Sequence, residues 1–500
     1  MAQRTHGRGS FSSKSLHELS QRFGEFETRD AEEGANIARE IELVRRGGAE
    51  PSRSDSAREE GDLYLVSWDP DKPRENPRNW PLSKKARVMA IISFFSLMGP
   101  YSSSMVSPAL NSIAKDIHTP NQTEETLLVS IFVLAYMFGP LFSSPISESV
   151  GRRPVLFTCN ALFTFFNLGC AWTKNSAQMI VLRFLAGFFA GSVLPMGGGT
   201  IADLFEPAKR GFSMSLYALT PLFGPSVGPV VSGWIIQGWG RDKWPWIFWT
   251  SSIFSAAVEI AGVIGIPETY APQLLRKKAR NLRNNTGNEK LHSVFDTGSE
   301  TLAQKVKRVL LRPLIFLTTE LVVFLPGLYM AIIYGCFYLL IATLPMVFEE
   351  KYGMPTGIAS LHNLALSAGV TAGSFTLGPT TDYTYTRLCK KHGKPQPEYK
   401  LPILMVSVFF IPAGLLLYGW TSEYEKLWIA PDIGLFIVAA GMLGVFLQVQ
   451  MYMVDVMSIY GSSAVSAVIT LRSLLGFAFP LFARDMFIKL GFGWGVRIIC

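Results

Sequence analysis

Residues 139–154 read G-P-L-F-S-S-P-I-S-E-S-V-G-R-R-P, and this stretch indicates how the whole chain is organised. It ends one apolar segment long enough to cross a bilayer and begins another, with Gly151, Arg152 and Arg153 in the short turn between them. A turn of so few residues between two spans forces a membrane hairpin. Because Lys and Arg collect in short cytoplasmic loops, the two arginines predict that this turn faces the cytoplasm.

The composition supports a membrane protein over the whole chain. Of the 500 residues, 49% are hydrophobic and 17% are charged, which exceeds what the core of a soluble protein requires. Apolar segments of about 20 residues, the length that crosses a bilayer, recur from Arg87 onward. We predict eleven spans, at residues 88–110, 126–147, 155–172, 179–201, 212–237, 244–267, 321–348, 357–378, 401–420, 429–453 and 462–487.

The spans divide the chain into four regions. Residues 1–85 are polar, which predicts a disordered tail without a signal peptide. We expect a first helical bundle at residues 86–267, a central loop at residues 268–312 and a second bundle at residues 313–500. Lys and Arg are concentrated in the loops on the side of the tail, so the tail and the central loop are predicted to be cytoplasmic.

Several other classes of protein are excluded by the distribution of polar residues. The formal net charge of +8 resides in short loops between apolar spans, which favours contact with anionic lipid headgroups over nucleic acid. The five cysteines and six histidines lack metal-ligand or disulfide spacing. Because no G-x-x-x-x-G-K-S/T motif is present, no nucleotide is expected, and we predict neither a cofactor nor a metal.

Three motifs carry a family resemblance. The turn with Glu148 and Gly151-Arg152-Arg153-Pro154, the approach Asn76-Pro77-Arg78-Asn79-Trp80 before the first span, and the stretch P-E-T-Y-A-P at residues 267–272 resemble the fungal drug:proton antiporter branch of the major facilitator superfamily. The resemblance implies an all-helical membrane fold of two six-helix bundles, with a substrate site between the halves near the middle of the bilayer. A weaker echo of the turn, Thr381-Asp382 with Arg387, fits such an internal repeat.

The resemblance also suggests residues of a cytoplasmic gate. In the first half these are Glu148, where many relatives have Asp, together with Gly151, Arg152 and Arg153. Asp382 is the counterpart in the second half. Asp203 and Asp455 end corresponding spans in the two halves, and we expect them to form salt bridges at the gate.

A further motif lies in the fifth span, which reads G-P-S-V-G-P-V-V-S-G over residues 224–233. Its small residues allow close helix packing, and its prolines interrupt the backbone hydrogen bonds. It resembles the antiporter motif of the superfamily, and the residues concerned are Gly224, Pro225, Gly228, Pro229 and Gly233. The letters G-P-S-V-G also fit the nucleophile elbow of a hydrolase, but that elbow requires a preceding strand.

Four charged residues inside or at the ends of predicted spans are candidates for proton or substrate contact: Arg183, Glu259, Glu320 and Arg472. A charge in a span is costly and is expected to face a cavity or a partner. Arg183 stands in a pattern resembling the fourth-helix motif, whose arginine is associated with proton transfer in antiporters; snorkelling to the outer surface is the alternative. His362 is expected to make a satisfied polar contact, with proton sensing as the alternative.

Aromatic residues of several spans could line a cavity for an amphipathic compound, although packing explains each one singly. They are Phe132, Tyr136, Tyr217, Phe223, Tyr329, Tyr334 and Tyr338.

We therefore predict a monomeric exporter that is not an enzyme, with small organic compounds (drugs, toxins or polyamines) and protons as its partners, embedded in the plasma membrane or alternatively in the vacuolar membrane. A nutrient or sugar importer with the same fold remains the alternative function. A membrane-embedded enzyme would require a catalytic cluster that the sequence does not show. Asn121-Gln122-Thr123 in the first outer loop is the predicted glycosylation site.

The last residues of the sequence lead to a further expectation. The stretch G-F-G-W-G at residues 491–495 resembles the approach to a twelfth helix, and only five residues follow it. Five residues rise about 7.5 Å as a helix, whereas the hydrocarbon layer is about 30 Å thick. We therefore expect the second bundle to lack its twelfth helix, with poor stability and weak transport as the consequence.

Overall fold

The computed structural model describes residues 64–69, 71–205, 210–293, 302–392, 396–425, 427–457 and 461–499. Over these residues the chain forms helices almost throughout, as the apolar segments predict. The elements of the first part are β1 (Leu65–Val66), α1 (Leu82–Ser104), α2 (Leu110–Asp116), α3 (Gln122–Ala135), α4 (Gly139–Val150), α5 (Arg152–Gly169), α6 (Ser176–Leu204), α7 (Arg210–Trp239) and α8 (Pro245–Gly265).

The second part begins with the predicted central loop. Its elements are α9 (Ala271–Thr286), β2 (His292–Ser293), α10 (Leu302–Thr319), α11 (Leu321–Pro345), a π-helical segment (Met346–Lys351), α12 (Thr356–Leu361), α13 (Asn363–His392), α14 (Leu401–Glu423), α15 (Ile429–Met457) and α16 (Gly461–Ile499).

Ten helical segments of the described chain are long and apolar enough to cross a membrane. They are Leu82–Asp116, Gln122–Ser144, Arg152–Trp172, Ser176–Leu204, Leu216–Trp239, Pro245–Gly265, Leu321–Lys351, Pro397–Glu423, Ile429–Met457 and Ala464–Ile498. The sequence predicted eleven, and the difference is the span at residues 357–378. Helices α12 and α13 occupy that position, but polar residues dilute their apolar character. Asn363 and Ser367 are buried, so this region turns polar side chains towards the protein and not towards lipid.

The chain divides into two compact units. The smaller one contains, among the described residues, 64–67 and 278–293. Here β1 pairs in parallel with β2, with Leu65 opposite His292 and Val66 opposite Ser293. The amide of His292 donates to the carbonyl of Tyr64 at 3.0 Å. The larger unit contains all the membrane helices.

These elements correct the prediction of a disordered tail for those of its residues that the structure describes, and they show helices and a strand in the region predicted as the central loop. Residues 1–63 lie outside the described chain, but β1 and short 3₁₀ turns at Pro73–Glu75 and Pro77–Asn79 precede α1. Within the predicted loop, α9 forms because apolar residues recur at helical spacing among its basic ones. Leu275 and Ala279, one turn apart, are both buried.

The membrane helices pack in the same pattern in the two halves. In the first half α1 packs on α6 and α7, while α3 and α5 pack on α6. In the second half α11 packs on α15 and α16, while α13 and α14 pack on α15. Each pairing thus recurs at the corresponding position along the chain. The internal repeat that the sequence suggested through one weak motif is therefore a property of the whole helix arrangement.

The end of α16 contains a sharp change of direction at Gly491, whose φ is 76° and ψ 169°. The residues after it are helical again, and the amide of Phe492 donates to Glu423 Oε2 at 2.6 Å. Val496 is fully buried. Gly419 of α14 packs closely against it, because a Cβ atom added at Gly419 would lie 2.9 Å from the Cβ of Val496. The stretch 491–495 thus forms a turn followed by a helical start, as its motif predicted.

Candidate functional site

The turn between α4 and α5 holds the first part of the site. Gly151 connects the two helices with φ 111° and ψ 158°, a backbone conformation that favours glycine. Arg152, the first residue of α5, donates from Nε to Asp203 Oδ2 at 2.6 Å near the end of α6. Arg153 donates from Nη2 to the carbonyl oxygen of Val263 at 3.1 Å on α8. The turn is thereby tied to two other helices of the same half.

Glu268, which the sequence reasoning did not select, completes this part. Its carboxylate accepts hydrogen bonds from the backbone amides of Arg152 and Arg153, at 3.2 and 3.1 Å. The same carboxylate also accepts from the amides of Thr269 and Tyr270. A carboxylate at a helix N-terminus satisfies free amides and interacts favourably with the helix dipole. The signal in the sequence is the family-like motif at residues 267–272, which contains this glutamate.

The second half repeats the ion pair at the same position of the fold. Lys400, immediately before α14, pairs with Asp455 near the end of α15. Helix α14 corresponds to α5 and helix α15 to α6, so this pair occupies the place of Arg152 and Asp203. Glu148 lies on α4 and Asp382 on α13, but the side chains of both fall outside the described part of the structure.

The glycines of the α7 motif make close contacts on α1. A Cβ at Gly224 would lie 2.8 Å from the Cβ of Pro100, and a Cβ at Gly228 would lie 2.9 Å from Ser104 Oγ. Pro225 and Pro229 are buried in the same region. Because Ser226 lies within a continuous helix, no strand precedes it, and the nucleophile-elbow alternative does not fit.

Gly233, the last residue of the motif, faces the other half of the molecule. A Cβ there would lie 2.7 Å from the Cβ of Ser360 on α12. One turn further, Gln237 Oε1 accepts a hydrogen bond from the amide of Gly357 at 2.7 Å. The motif therefore packs α7 on α1 with one end and on the second half with the other.

Two hydroxyl groups of the first half make further contacts across the halves. Ser103 Oγ lies 2.9 Å from Tyr338 Oη, and Ser107 Oγ donates to the carbonyl oxygen of Ile341 at 3.1 Å. By the predicted topology these contacts, and those of Gly233 and Gln237, lie on the extracytoplasmic side. This surface joining α1 and α7 to α11 and α12 is called the outer seam below.

Arg183 is fully buried, and each of its three side-chain nitrogens donates to a backbone carbonyl group. Nε donates to Leu128 at 3.1 Å, Nη1 to Ser102 at 2.8 Å and Nη2 to Ser103 at 3.1 Å. The last two carbonyls belong to the C-terminal turn of α1, where carbonyl groups lack helical partners and a cation is favoured. The ring of Phe132 lies 4.4 Å from the guanidinium carbon. The snorkelling alternative therefore does not describe this side chain.

Arg472 on α16 has a different environment. It is 6% exposed, yet within the described ranges of the chain Nε and Nη1 have no hydrogen-bond partner. The rings of Tyr334 on α11 and Phe446 on α15 each lie 4.9 Å from its guanidinium carbon. In the part of the chain that the structure describes, no carboxylate forms an ion pair with Arg472.

Glu259 lies between two helices of the first half. Its Oε2 accepts a hydrogen bond from Asn160 Nδ2 on α5 at 2.7 Å. Further contacts continue along the same helix pair, where Thr164 Oγ1 lies 2.7 Å from Ser255 Oγ. Glu320, at the junction of α10 and α11, is exposed. The structure therefore does not bring Glu259, Glu320 and Arg472 into one cluster.

His362, at the junction of α12 and α13, is a satisfied polar residue, as the sequence suggested. Its Nδ1 lies 2.8 Å from Asp432 Oδ2, and its ring stacks on Phe348 with centroids 3.6 Å apart. Among the described residues, no cluster of His, Cys, Asp and Glu could hold a metal ion.

Comparisons with known proteins agree with this architecture. A family profile described as Major Facilitator Superfamily matches residues 89–480. The efflux pump radE of Floropilus chiversii is 38% identical over 457 residues, covering 90% of this chain and 84% of that protein. The efflux pump vrtL of Penicillium aethiopicum is 37% identical over 477 residues, covering 95% and 91%.

A solved structure supports the fold at lower sequence identity. The proton:xylose symporter XylE, bound to 6-bromo-6-deoxy-D-glucose, superposes with a TM-score of 0.60 at 17% identity, covering 84% of this chain and 94% of that one. At such identity the similarity concerns the helix arrangement and carries no information on the substrate.

Proposed function

The chain belongs to the major facilitator superfamily, in the branch that contains fungal efflux pumps, and from this premise we propose that it exports small organic compounds in exchange for protons. It is a multi-pass membrane transporter, and the family and fold are those of transporters and not of enzymes. We place it in the plasma membrane, acting as a monomer. The transported compounds are drugs, toxins or polyamines.

The observation that carries this proposal is the packing of α7. The motif of Gly224, Gly228 and Gly233 resembles the antiporter motif, and its glycines leave room for close contact with α1 and with the second half. Small residues at such contacts let helix backbones approach each other. A seam of this kind seals the outer side of a central site while the other side opens, which alternating access requires.

The ion pairs Arg152–Asp203 and Lys400–Asp455 support a gate on the predicted cytoplasmic side. Each pair joins the start of one helix to the end of its neighbour within a half. Each half can therefore move as a body about the central site, while Glu148 and Asp382 are proposed to contribute on the corresponding helices α4 and α13. For proton transfer we propose Glu259 first, with Glu320 and Arg183 as further candidates.

A two-stage experiment tests the proposal. First, a yeast strain without its own exporters is screened for resistance and uptake with azoles, polyamines and toxins while expressing the chain. Second, the purified protein is reconstituted in liposomes. Transport of a compound to which the screen shows resistance or reduced uptake is then measured with and without an imposed pH gradient. Transport against the compound's gradient, driven by opposite proton flow, is expected. Transport independent of pH, or proton flow in the same direction as the compound, would refute proton-coupled export.

A further inference from the structure

The two buried arginines of the membrane helices differ in one respect. Each of the three side-chain nitrogens of Arg183 donates to a backbone carbonyl group. Arg472 is almost as deeply buried, but two of its three side-chain nitrogens have no partner among the residues that the structure describes. Burying a cation without hydrogen-bond acceptors is unfavourable, so a site that does so usually receives the acceptors from elsewhere.

Arg472 lies where helices of both halves converge. A Cβ at Gly476, one turn after Arg472 on α16, would lie 2.9 Å from the ring of Tyr334 and 3.1 Å from Val133 on α3. Under the predicted topology, α3 and α16 run in opposite directions. Tyr136 follows Val133 along the chain and Arg472 precedes Gly476, so both lie on the same side of the contact between Val133 and Gly476. Tyr136, Tyr334 and Arg472 therefore lie at one level, and we call them the central cluster.

The central cluster has further unused hydrogen-bonding capacity. The hydroxyl group of Tyr136 is buried and has no hydrogen-bond partner in the part of the chain that the structure describes. A Cβ at Gly99 of α1 would lie 2.8 Å from that hydroxyl oxygen, so the side chain points towards α1. In the described part of the chain, one phenolic hydroxyl and two guanidinium nitrogens of the central cluster are thus donors without acceptors.

From these groups we infer that the central cluster binds the acidic group of an organic anion: a carboxylate, phenolate or enolate attached to an aromatic or apolar body. A guanidinium forms short, charge-assisted hydrogen bonds with such oxygens, and the adjacent Tyr136 hydroxyl can donate to the same group. The rings of Tyr334 and Phe446 already face the guanidinium and supply an apolar wall. A cationic compound such as a polyamine would meet an uncompensated positive charge here, so the inference narrows the proposed compounds to acidic drugs and toxins. The inference names the class of compound that the proposed exporter would carry. It rests on the proposed function in one respect: only if the chain is an exporter is the bound anion its natural substrate.

Binding to the purified protein tests the inference without relying on transport. The probes are 2-naphthoate, 2-naphthamide and 2-naphthamidine, which share one ring system and differ in charge. The thermal unfolding midpoint is measured as a function of each concentration. We expect naphthoate to bind best, with the neutral amide about tenfold weaker because it loses the charge-assisted bonds. Equal binding of the three probes, preference for the amidine, or no stabilisation by naphthoate at millimolar concentration would each overturn the inference.

Variants assign the charge preference to Arg472. The substitution Arg472→Gln is expected to reduce naphthoate binding to the level of naphthamide, and Arg472→Lys to retain a part of the preference. Arg484→Gln is the matched control, because Arg484 lies on the same helix and is more exposed, and it should leave the preference intact. If Arg472→Gln keeps the full preference, the assignment is wrong. If Arg472→Gln fails to fold, the inference is tested by Arg472→Lys and by the binding of the three probes to the unaltered protein.

This design separates the two proposals. A protein that binds naphthoate selectively but shows no proton-coupled export would refute the function and leave the anion site in place. A protein that exports its compound with proton coupling but does not discriminate among the three probes would refute the anion site alone.

Discussion

Arg152 Nε lies 2.6 Å from Asp203 Oδ2, which joins the first residue of α5 to the end of α6. The side chains of the two residues are only 17% and 16% exposed, so this pair is partly shielded from water. Thr269 Oγ1 lies 3.5 Å from the same carboxylate oxygen. Removing one member of a shielded pair leaves the other charge without compensation, and this makes the pair's contribution measurable.

A double-mutant cycle measures this contribution. Arg152→Met and Asp203→Asn are each expected to lower the thermal unfolding midpoint, and the double variant to lower it by less than the sum. We expect a coupling energy of about 1–2 kcal/mol, reduced from that of a fully buried pair by the remaining exposure. The control cycle uses Arg484 and Glu350, whose contact is longer, at 3.6 Å, and more exposed. Its coupling should stay below about 0.5 kcal/mol. Equal coupling in the two cycles would contradict the prediction.

Gly151 provides a second test, of the turn itself. Its φ of 111° disfavours any other residue, and a Cβ there would lie 2.7 Å from Glu268 Oε2. Gly151→Ala should therefore destabilise the protein by about 1–3 kcal/mol through backbone strain, and should also displace the carboxylate that caps α5. Gly287→Ala is the matched control: its φ is also positive, at 66°, but nothing lies within 4 Å of the added atom. Thermal unfolding of the two variants should show a clearly larger loss for Gly151→Ala, and a similar loss in both would argue against the clash.

Some features of this molecule could be read from local sequence. The glycine of the turn, the apolar spans and the close packing of Gly224 and Gly228 follow from residue types and spacing alone. The correspondence of Asp203 and Asp455 was also inferred from their places at the ends of corresponding spans. Such features need no knowledge of which distant residues meet.

Other features depend on contacts between distant residues and could not be predicted. Glu268 caps a helix that begins 116 residues earlier in the chain. The pairing of β1 with β2 joins residues 65–66 to residues 292–293 through strands too short to show a pattern. Arg183 and Arg472 looked alike as charges in apolar spans, and only the structure shows that every side-chain nitrogen of Arg183 donates to a backbone carbonyl group, whereas two nitrogens of Arg472 have no partner among the described residues.

Glu259 is the candidate for proton transfer that can be tested most directly. Gln resembles a protonated Glu, and its amide oxygen can still accept the hydrogen bond from Asn160 Nδ2, so Glu259→Gln should fold normally. If Glu259 carries the coupled proton, this variant should lose transport driven by a pH gradient while retaining exchange of labelled for unlabelled compound. Both modes are measured in liposomes, with Glu350→Gln as the control expected to keep proton coupling, because Glu350 lies in an exposed ion pair with Arg484 and is not a candidate for proton transfer. Unchanged pH-driven transport in Glu259→Gln would exclude it as the proton carrier.

Asn121 tests the predicted topology. It is exposed immediately before α3 and begins the sequence Asn-Gln-Thr, whereas Asn284 begins a second such sequence on α9. Because glycans are added on the extracytoplasmic side, Asn121→Gln should abolish the shift in gel mobility that glycosidase treatment produces. Asn284→Gln should leave that shift unchanged. Modification of Asn284 in place of Asn121 would invert the predicted orientation.

Gly233 tests the outer seam. A Cβ at this position would lie 2.7 Å from the Cβ of Ser360, and a larger side chain must push α7 away from the second half. Gly224 and Gly228 differ from it because they face α1 within the same half, so their replacement should impair folding and not the contact between halves. We therefore expect Gly233→Val to open the outer seam while the protein remains folded. Opening is measured as the rate at which a cysteine introduced at the buried Ser102 reacts with a membrane-impermeant maleimide added from outside.

Gly238 is the matched control for that experiment. It lies on the same helix, five residues further, and nothing lies within 4 Å of an added Cβ. Gly238→Val carries the same cost of a β-branched residue in a helix, so any difference between the variants comes from the contact with the second half. The labelling rate at Ser102→Cys should rise several-fold with Gly233→Val and stay at the level of the parent with Gly238→Val. An equal rate in both variants would mean that Gly233 does not hold the seam closed, and the packing of α7 would then lose its place in the proposed mechanism.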